Sequence, residues 1–140
     1  MVIKTILIFL IALLGYSEWL TGTSYLQRPI VLGPLVGLVM GDVVTGTIMG
    51  ATMELAMVGA ISVGAYNPPD TISGTILGVS LAMQAGADAS AALTLGIPIA
   101  TIVLALDTAL GQPVMLLLVH RIDKNVEDGD TKAITRNMLI

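Results

Sequence analysis

The stretch MGDVVTGTIMGATMELAMVGA, residues 40–60, is apolar and rich in glycine, yet it contains two carboxylates, Asp42 and Glu54. Gly46, Gly50 and Glu54 are spaced four residues apart, so they fall on one face of a helix. Small residues at this spacing let two helices approach backbone to backbone in a membrane. The stretch therefore predicts a helix whose acid-bearing face meets another helix or a cavity.

The overall composition is typical of a membrane environment. Of the 140 residues, 55% are hydrophobic and only 11% are charged, whereas soluble domains carry about a quarter charged residues. Fifteen glycines point the same way, because glycine is more frequent in membrane helices than in soluble ones. We therefore predict an all-α integral membrane protein.

The residues that most catalytic and metal chemistry requires are missing. The absence of cysteine excludes disulfides, thiolate nucleophiles and cysteine-based metal sites, and one histidine, His120, cannot form a zinc site by itself. The six Lys and Arg residues are scattered and form no stripe for nucleic acid. The segment GDVVTGT has the glycine spacing of a phosphate loop but lacks its lysine. We expect no catalytic residue, metal or cofactor.

Charged and helix-breaking residues divide the chain into apolar segments. A helix needs about 20 mostly apolar residues to cross lipid, and few of the segments are that long. The pattern therefore predicts a multi-span helical bundle with short, broken or re-entrant helices, whose irregular backbone is buried in protein or lines a cavity. We predict helices over 3–20, 29–41, 43–60 and 71–86, followed by a long apolar stretch over 89–119.

Prolines and the polar tail refine this division. Pro29 suits the first position of a helix, and Gly33-Pro34 predicts a kink. The long stretch contains GIP at 96–98 and GQP at 111–113, so it is either two pieces or one kinked helix. Residues 1–120 are expected to be membrane-embedded, the first helix being a retained span and not a cleaved signal. Residues 121–140 form a polar loop whose basic residues favour the cytoplasm.

Two further sets of glycines repeat at the same interval. One set lies in the second predicted helix, at Gly33, Gly37 and Gly41, and the other in the fourth, at Gly74 and Gly78. The spacing indicates close helix packing, or smooth faces on which one group of helices slides past another.

Most of the carboxylates have a local structural explanation. Asp42, Asp70 and Asp88 each precede a predicted helix, where a cap accepts hydrogen bonds from backbone N–H groups. Asp107 would be interfacial if the chain breaks at GQP. Glu54 lies well inside its helix, where a charge costs at least a few kcal/mol in lipid. Two interpretations stay open: an ion pair with Arg28, the nearest basic residue in the sequence, or an acceptor for a ligand such as a sugar.

The segment AYNPPD, residues 65–70, interrupts the helical pattern. Irregular backbone inside a bilayer is tolerated only where it is buried in protein or lines a cavity. Asn67 is therefore a candidate binding residue if this loop lies at membrane depth, and an ordinary turn residue if the loop lies at the surface.

The segment QRPIVLGPLVGLVMGDVVTGTIMGATMELAMVGAISVGAYNPPD, residues 27–70, resembles the IIC permease subunits of the bacterial phosphotransferase system, mannose/sorbose family. The shared pieces are the RP opening, GPLVGLVMGD followed by TG, GATMELA and the PPD loop. The resemblance covers about residues 3–120. Within the family, the chain looks most similar to the branch that serves hexosamines such as N-acetylgalactosamine. Family members are longer, so the chain corresponds to their N-terminal half and is expected to be a fragment, a split subunit or a truncated copy.

The resemblance implies a function. In this family a IIC subunit works with a IID subunit in the bacterial inner membrane and moves a hexose or amino sugar inward. The cytoplasmic IIA and IIB proteins pass phosphate from phosphoenolpyruvate to the sugar, and IIC itself accepts none. A multi-pass transport subunit in homo- and hetero-oligomers is therefore implied, not an enzyme. The matching motif positions give the substrate-binding candidates Glu54, Asn67, Asp70, Asp42 and Thr45.

Two other functions stay open at this point. The chain is alternatively a structural or assembly module whose glycine faces dock a partner. It is otherwise an ion-coupled secondary transporter in which Glu54 carries a proton.

Overall fold

The computed structural model describes residues 2–17, 20, 22, 24–64 and 66–127, and in this part of the chain the regular structure is helical and contains no strand. The described residues up to Leu104 form one unit, and those from Ala105 onward form a second. The helices of this part are α1 (Val2–Tyr16), α2 (Pro29–Met40), α3 (Val43–Met57), α4 (Thr71–Gln84) and α5 (Ala89–Glu127).

Helix starts follow the capping residues of the sequence. Pro29 occupies the first turn of α2, as predicted. The side chain of Asp42 accepts the N–H of Thr45, and that of Asp70 accepts the N–H groups of Ile72 and Ser73. Asp88 likewise accepts the N–H of Ala91 at the start of α5. The three capping predictions are therefore confirmed.

A two-residue turn joins α2 and α3 into an antiparallel hairpin. Gly41 ends α2 with φ of 102°, a left-handed conformation that costs glycine little, and its N–H donates to the carbonyl of Gly37. The N–H of Asp42 donates to the same carbonyl before its side chain caps α3. The turn is thus short because one glycine reverses the chain and the next residue starts the new helix.

The hairpin is held by contact between two glycine faces. A Cβ added to Gly33 would lie 2.5 Å from Cα of Gly50, and one added to Gly46 would lie 2.5 Å from Cα of Gly37. Real Cβ atoms are essentially never that close to backbone, so α2 and α3 pack backbone against backbone. The close packing predicted from the four-residue spacing is confirmed.

A second glycine contact joins α4 to the first part of α5. A Cβ on Gly78 would lie 2.8 Å from the carbonyl oxygen of Ala92 and 2.8 Å from Cα of Gly96. A Cβ on Gly96 would also lie 2.6 Å from Cε of Met53, which belongs to α3. Because Gly96 has no side chain, both α4 and the Met53 side chain pack directly against the backbone of α5 at this position.

Two features differ from the sequence-based prediction, and one alternative that it left open is decided. The first helix ends at Tyr16, not at residue 20. Of the two alternatives predicted for 89–119, two pieces or one kinked helix, the structure has one helix through both GIP and GQP, because a proline removes only its own N–H bond while the rest of the helix stays hydrogen-bonded. The loop predicted from Arg121 is wrong over 121–127, which continue α5; residues 128–140 lie outside the described part.

Helix length bears on the membrane prediction. Within the described residues, Ala89–Lys124 of α5 is the one helical segment long and apolar enough to cross a bilayer. The helices α1 to α4 have 12 to 15 residues, fewer than the roughly 20 of a simple span. They agree with the predicted short helices, and the multi-span arrangement stays a prediction.

Candidate functional site

Contacts between helices show which helix ends lie together in the first unit. A Cβ on Gly15 of α1 would lie 2.9 Å from Cγ2 of Ile72 and 3.5 Å from Cδ2 of Leu32. A Cβ on Gly50 of α3 would lie 2.6 Å from the carbonyl oxygen of Pro29. The end of α1, the start of α2, the end of α3 and the start of α4 are therefore together, and we call this place the Glu54 end.

Glu54 is held at this end by two donors. One carboxylate oxygen forms an ion pair with the guanidinium of Arg28, and the other accepts the backbone N–H of Ile30 at 3.3 Å. The Glu54 side chain is 15% exposed and that of Arg28 is 45% exposed, so water or a ligand reaches the pair. The ion-pair interpretation of Glu54 is confirmed, and its binding of a ligand stays a prediction.

Asp70 is the second carboxylate of the Glu54 end. Besides capping α4, it accepts a hydrogen bond from the hydroxyl of Tyr16 on α1. The same hydroxyl lies 2.7 Å from Oγ of Ser73, and the N–H of Asp70 donates to the carbonyl of Ala100 at 3.2 Å. Asp70 therefore joins α1, α4 and α5 through one residue.

Asn67 lies in the irregular segment between α3 and α4, and its side chain is exposed. It comes three residues before Asp70, so the chain brings it to the neighbourhood of the Glu54 end. Pro68 and Pro69, between the two, are half-buried. This loop thus presents an exposed amide beside a capped helix start, and whether it contacts a ligand stays a prediction.

Asp42 and Thr45 lie at the other end of α3. Twelve residues of helix separate Asp42 from Glu54, which is about 18 Å at 1.5 Å per residue. The hydroxyl and the backbone N–H of Thr45 both donate to the Asp42 side chain. The structure thus does not bring the five predicted site residues together.

The Glu54 end has the chemistry to accept hydroxyl donors. A carboxylate offers about four lone-pair positions, and the described donors to Glu54 are the Arg28 side chain and the Ile30 N–H. Arg28 itself is a fork of donors suited to ligand oxygens. Among the described residues no group of three or more His, Cys, Asp or Glu side chains is arranged to hold a metal ion.

Sequence reasoning missed two members of this end, Tyr16 and Ser73. Tyr16 is 54 residues from Asp70 in the chain, and no local pattern links them. Ser73 gave a weak signal, since it stands three residues after a capping aspartate.

The described residues are all-helical, with short glycine-packed helices, one helix long and apolar enough to cross a bilayer, and a polar end. The family model described as PTS system sorbose-specific IIC component matches residues 2–140, so the chain belongs to this family of phosphotransferase sugar permease subunits. The family is membrane-embedded, and its members are transport components.

Relatives and solved structures agree. The chain is 32% identical over 134 residues to N-acetylgalactosamine permease IIC component 1 of Escherichia coli, covering 91% of this chain and 47% of that protein. It is 28% identical to the mannose-specific EIIC component of Escherichia coli, with 95% and 50% covered. A cryo-EM structure of mannose transporter ManYZ with microcin E492 contains a chain that is similar at TM-score 0.75 and 28% identity, with 99% of this chain and 56% of that one covered. This chain spans about half the length of these proteins.

Proposed function

We propose that this chain is a sugar-translocating subunit of a phosphoenolpyruvate-dependent phosphotransferase system in the bacterial inner membrane. Its substrate is a hexose or an amino sugar, which it moves inward together with a IID subunit. The family membership supports the system, and the names of its relatives, N-acetylgalactosamine permease and mannose EIIC component, support the sugar class. The ManYZ structure supports a second membrane subunit.

The arrangement in the membrane is part of the proposal. Residues 1–120 form the embedded, multi-pass part, with the short helices α1 to α4 packed in protein where they do not reach across lipid. Residues 121–140 form a polar extension toward the cytoplasm, where IIA and IIB proteins deliver phosphate to the sugar. The chain itself transfers no phosphate.

The observation that carries the proposal is Glu54 at the end of the glycine-packed hairpin. Arg28 and the backbone N–H of Ile30 bind the Glu54 carboxylate, which has lone pairs left to accept further donors. A sugar hydroxyl that donates to Glu54 would also lie within reach of the Arg28 guanidinium. We propose that Glu54, Asn67 and Asp70 contact the sugar. Asp42 and Thr45 form a separate polar site at the opposite end of α3.

Sugar uptake tests the proposal. Cells that lack their own transporter for the sugar receive the chain with its IID, IIA and IIB proteins, and uptake of labelled N-acetylgalactosamine and mannose is measured. We expect Glu54→Ala to abolish uptake at unchanged membrane abundance, while Asp88→Asn, an exposed cap, transports normally. Normal uptake by Glu54→Ala would remove Glu54 from the site. Normal uptake after deletion of this chain would favour an assembly role.

A further inference from the structure

Tyr16 lies at the end of α1, and its hydroxyl group contacts two residues at the start of α4. It donates its hydrogen to Oδ2 of Asp70 and lies 2.7 Å from Oγ of Ser73. A tyrosine hydroxyl has one hydrogen, so the bond between Tyr16 and Ser73 is made with the hydrogen of Ser73. The three groups therefore form a chain with one direction, in which Ser73 donates to Tyr16 and Tyr16 donates to Asp70.

The side chain of Ser73 is left with lone pairs and no hydrogen to donate elsewhere. A serine hydroxyl has one hydrogen and two lone pairs, and the hydrogen is directed at Tyr16. Other hydroxyls in the helices behave differently, since those of Thr47 and Thr94 donate to the carbonyl one turn back. Within the described part of the chain no group donates to Oγ of Ser73, which is a half-buried residue. This oxygen is therefore an acceptor for which the described residues supply no donor.

Asp70 has the same polarity as Ser73. Its Oδ2 accepts the O–H of Tyr16 and the N–H of Ser73, and its Oδ1 accepts the N–H of Ile72. A carboxylate has about four lone-pair positions, so one remains, on Oδ1. Asp70 and Ser73 thus form a surface at the start of α4 that only accepts hydrogen bonds, whereas the Arg28 side chain, at the start of α2, only donates them. A ligand group that binds at the start of α4 has to be a donor.

We propose that Tyr16 is a positioning residue of the sugar site, because it holds Oγ of Ser73 as an acceptor for a hydroxyl or amide hydrogen of the sugar. A hydroxyl group rotates to suit its surroundings, so without the Tyr16 hydroxyl the hydrogen of Ser73 has no fixed direction. A group that is held in its binding geometry before the ligand arrives costs less to order on binding. Tyr16 acts through Ser73 and does not itself contact that sugar hydrogen. The inference rests on the proposed function for the identity of the ligand.

Equilibrium binding of sugar analogues tests this role. Membranes containing the chain with its IID subunit are titrated with labelled N-acetylgalactosamine and mannose, and with competitors in which one hydroxyl or amide group is replaced by hydrogen. At the position that donates to Ser73, the parent should bind the deoxy analogue about 3- to 10-fold more weakly than the complete sugar. Tyr16→Phe should bind the two almost equally, because Ser73 is no longer held as an acceptor. This ratio comes from one membrane preparation, so it does not depend on how much of the variant is folded.

Two further variants show whether Tyr16 acts through Ser73. Ser73→Ala should remove the same preference, and the double variant Tyr16→Phe/Ser73→Ala should remove no more than either single change. Tyr25→Phe, at an exposed tyrosine between α1 and α2, should keep the parental ratio.

The outcomes separate this role from the proposed function. If Tyr16→Phe weakens every analogue by the same factor, or keeps the parental ratio at every sugar position, Tyr16 is not a positioning residue, although sugar binding by the parent still supports the proposed function. If the parent binds neither sugar, the proposed function is overturned together with the role of Tyr16.

Discussion

Glu54 and Arg28 form an ion pair that closes the open end of the α2–α3 hairpin, opposite the turn at Gly41. The backbone N–H of Ile30 donates to the second oxygen of Glu54, so the acid also binds the first turn of α2. The pair explains how a carboxylate is tolerated inside an apolar glycine-rich helix. The carboxylate has lone pairs left to accept further donors.

The strength of this pair is measurable by a double-mutant cycle. Arg28→Gln leaves the partly buried carboxylate without its charged donor, and we expect the free energy of unfolding to fall by about 1–3 kcal/mol. In a Glu54→Gln background the same change should cost much less. Thermal unfolding in detergent gives the four values. A coupling energy below about 0.5 kcal/mol would show that the pair does not hold the hairpin.

The glycine contact between α2 and α3 predicts a steric effect. Gly33→Ala places a methyl group 2.5 Å from Cα of Gly50, and overpacking of this kind costs about 1–3 kcal/mol. Gly59→Ala is the matched control, because a Cβ there meets nothing within 4 Å. Melting temperatures of the two variants should differ clearly. Equal stability would mean that the backbones separate without cost.

Helix positions were largely readable from the sequence because their causes are local. Pro29, Asp42 and Asp70 determine where α2, α3 and α4 begin, and the observed starts agree with the predicted ones. The glycine repeats predicted close packing, since spacing alone defines a helix face. They could not say that Gly96, inside a predicted break, would be a contact of α4, because partner choice depends on the whole bundle.

The candidate site was only partly readable. Glu54 was distinguished by its place inside an apolar helix, and Arg28 was named as one possible partner. The contact of Tyr16 with Asp70 joins residues far apart in the chain, and periodicity carries no information about such pairs. Asp42 and Thr45 matched a family motif, yet their distance from Glu54 follows from helix length and was not considered. GQP left two alternatives open, two pieces or one kinked helix, because a proline either ends an apolar helix or is accommodated in it, and one helix is observed.

The hydrogen bond between Tyr16 and Asp70 is expected to stabilise the packing of α1 against α4. Tyr16→Phe removes the hydroxyl that contacts both Asp70 and Ser73, and we expect a loss of about 0.5–1.5 kcal/mol in the free energy of unfolding. Asp70→Ala should cost more, because it also removes the cap of α4. Tyr25→Phe, which changes an exposed tyrosine between α1 and α2, is the control. An unchanged free energy of unfolding in Tyr16→Phe would show that this hydrogen bond does not stabilise the packing of α1 against α4.

The buried hydroxyl of Thr75, in α4, predicts a substitution that raises stability, whereas the substitutions above lower it. Its side chain is fully buried, and its hydroxyl has no hydrogen-bond partner among the described residues. The hydroxyls of Thr47 and Thr52, by contrast, donate to carbonyls one turn back. Thr75→Val keeps the shape and removes the buried polar atom, so we expect equal or higher stability, by up to about 1–3 kcal/mol. Thr52→Val serves as the comparison. A clear loss of stability in Thr75→Val would show that the hydroxyl is bonded.

The central claim is that Glu54 contacts the transported sugar, and equilibrium binding tests it most directly. Membranes containing the chain with its IID subunit are titrated with labelled N-acetylgalactosamine and mannose. A hydrogen bond to a charged group is worth about 1.5–3 kcal/mol, so Glu54→Gln should weaken binding of the recognised sugar by about 10- to 150-fold. Asp88→Asn should bind as the parent does. Parental affinity in a folded Glu54→Gln variant would contradict the account.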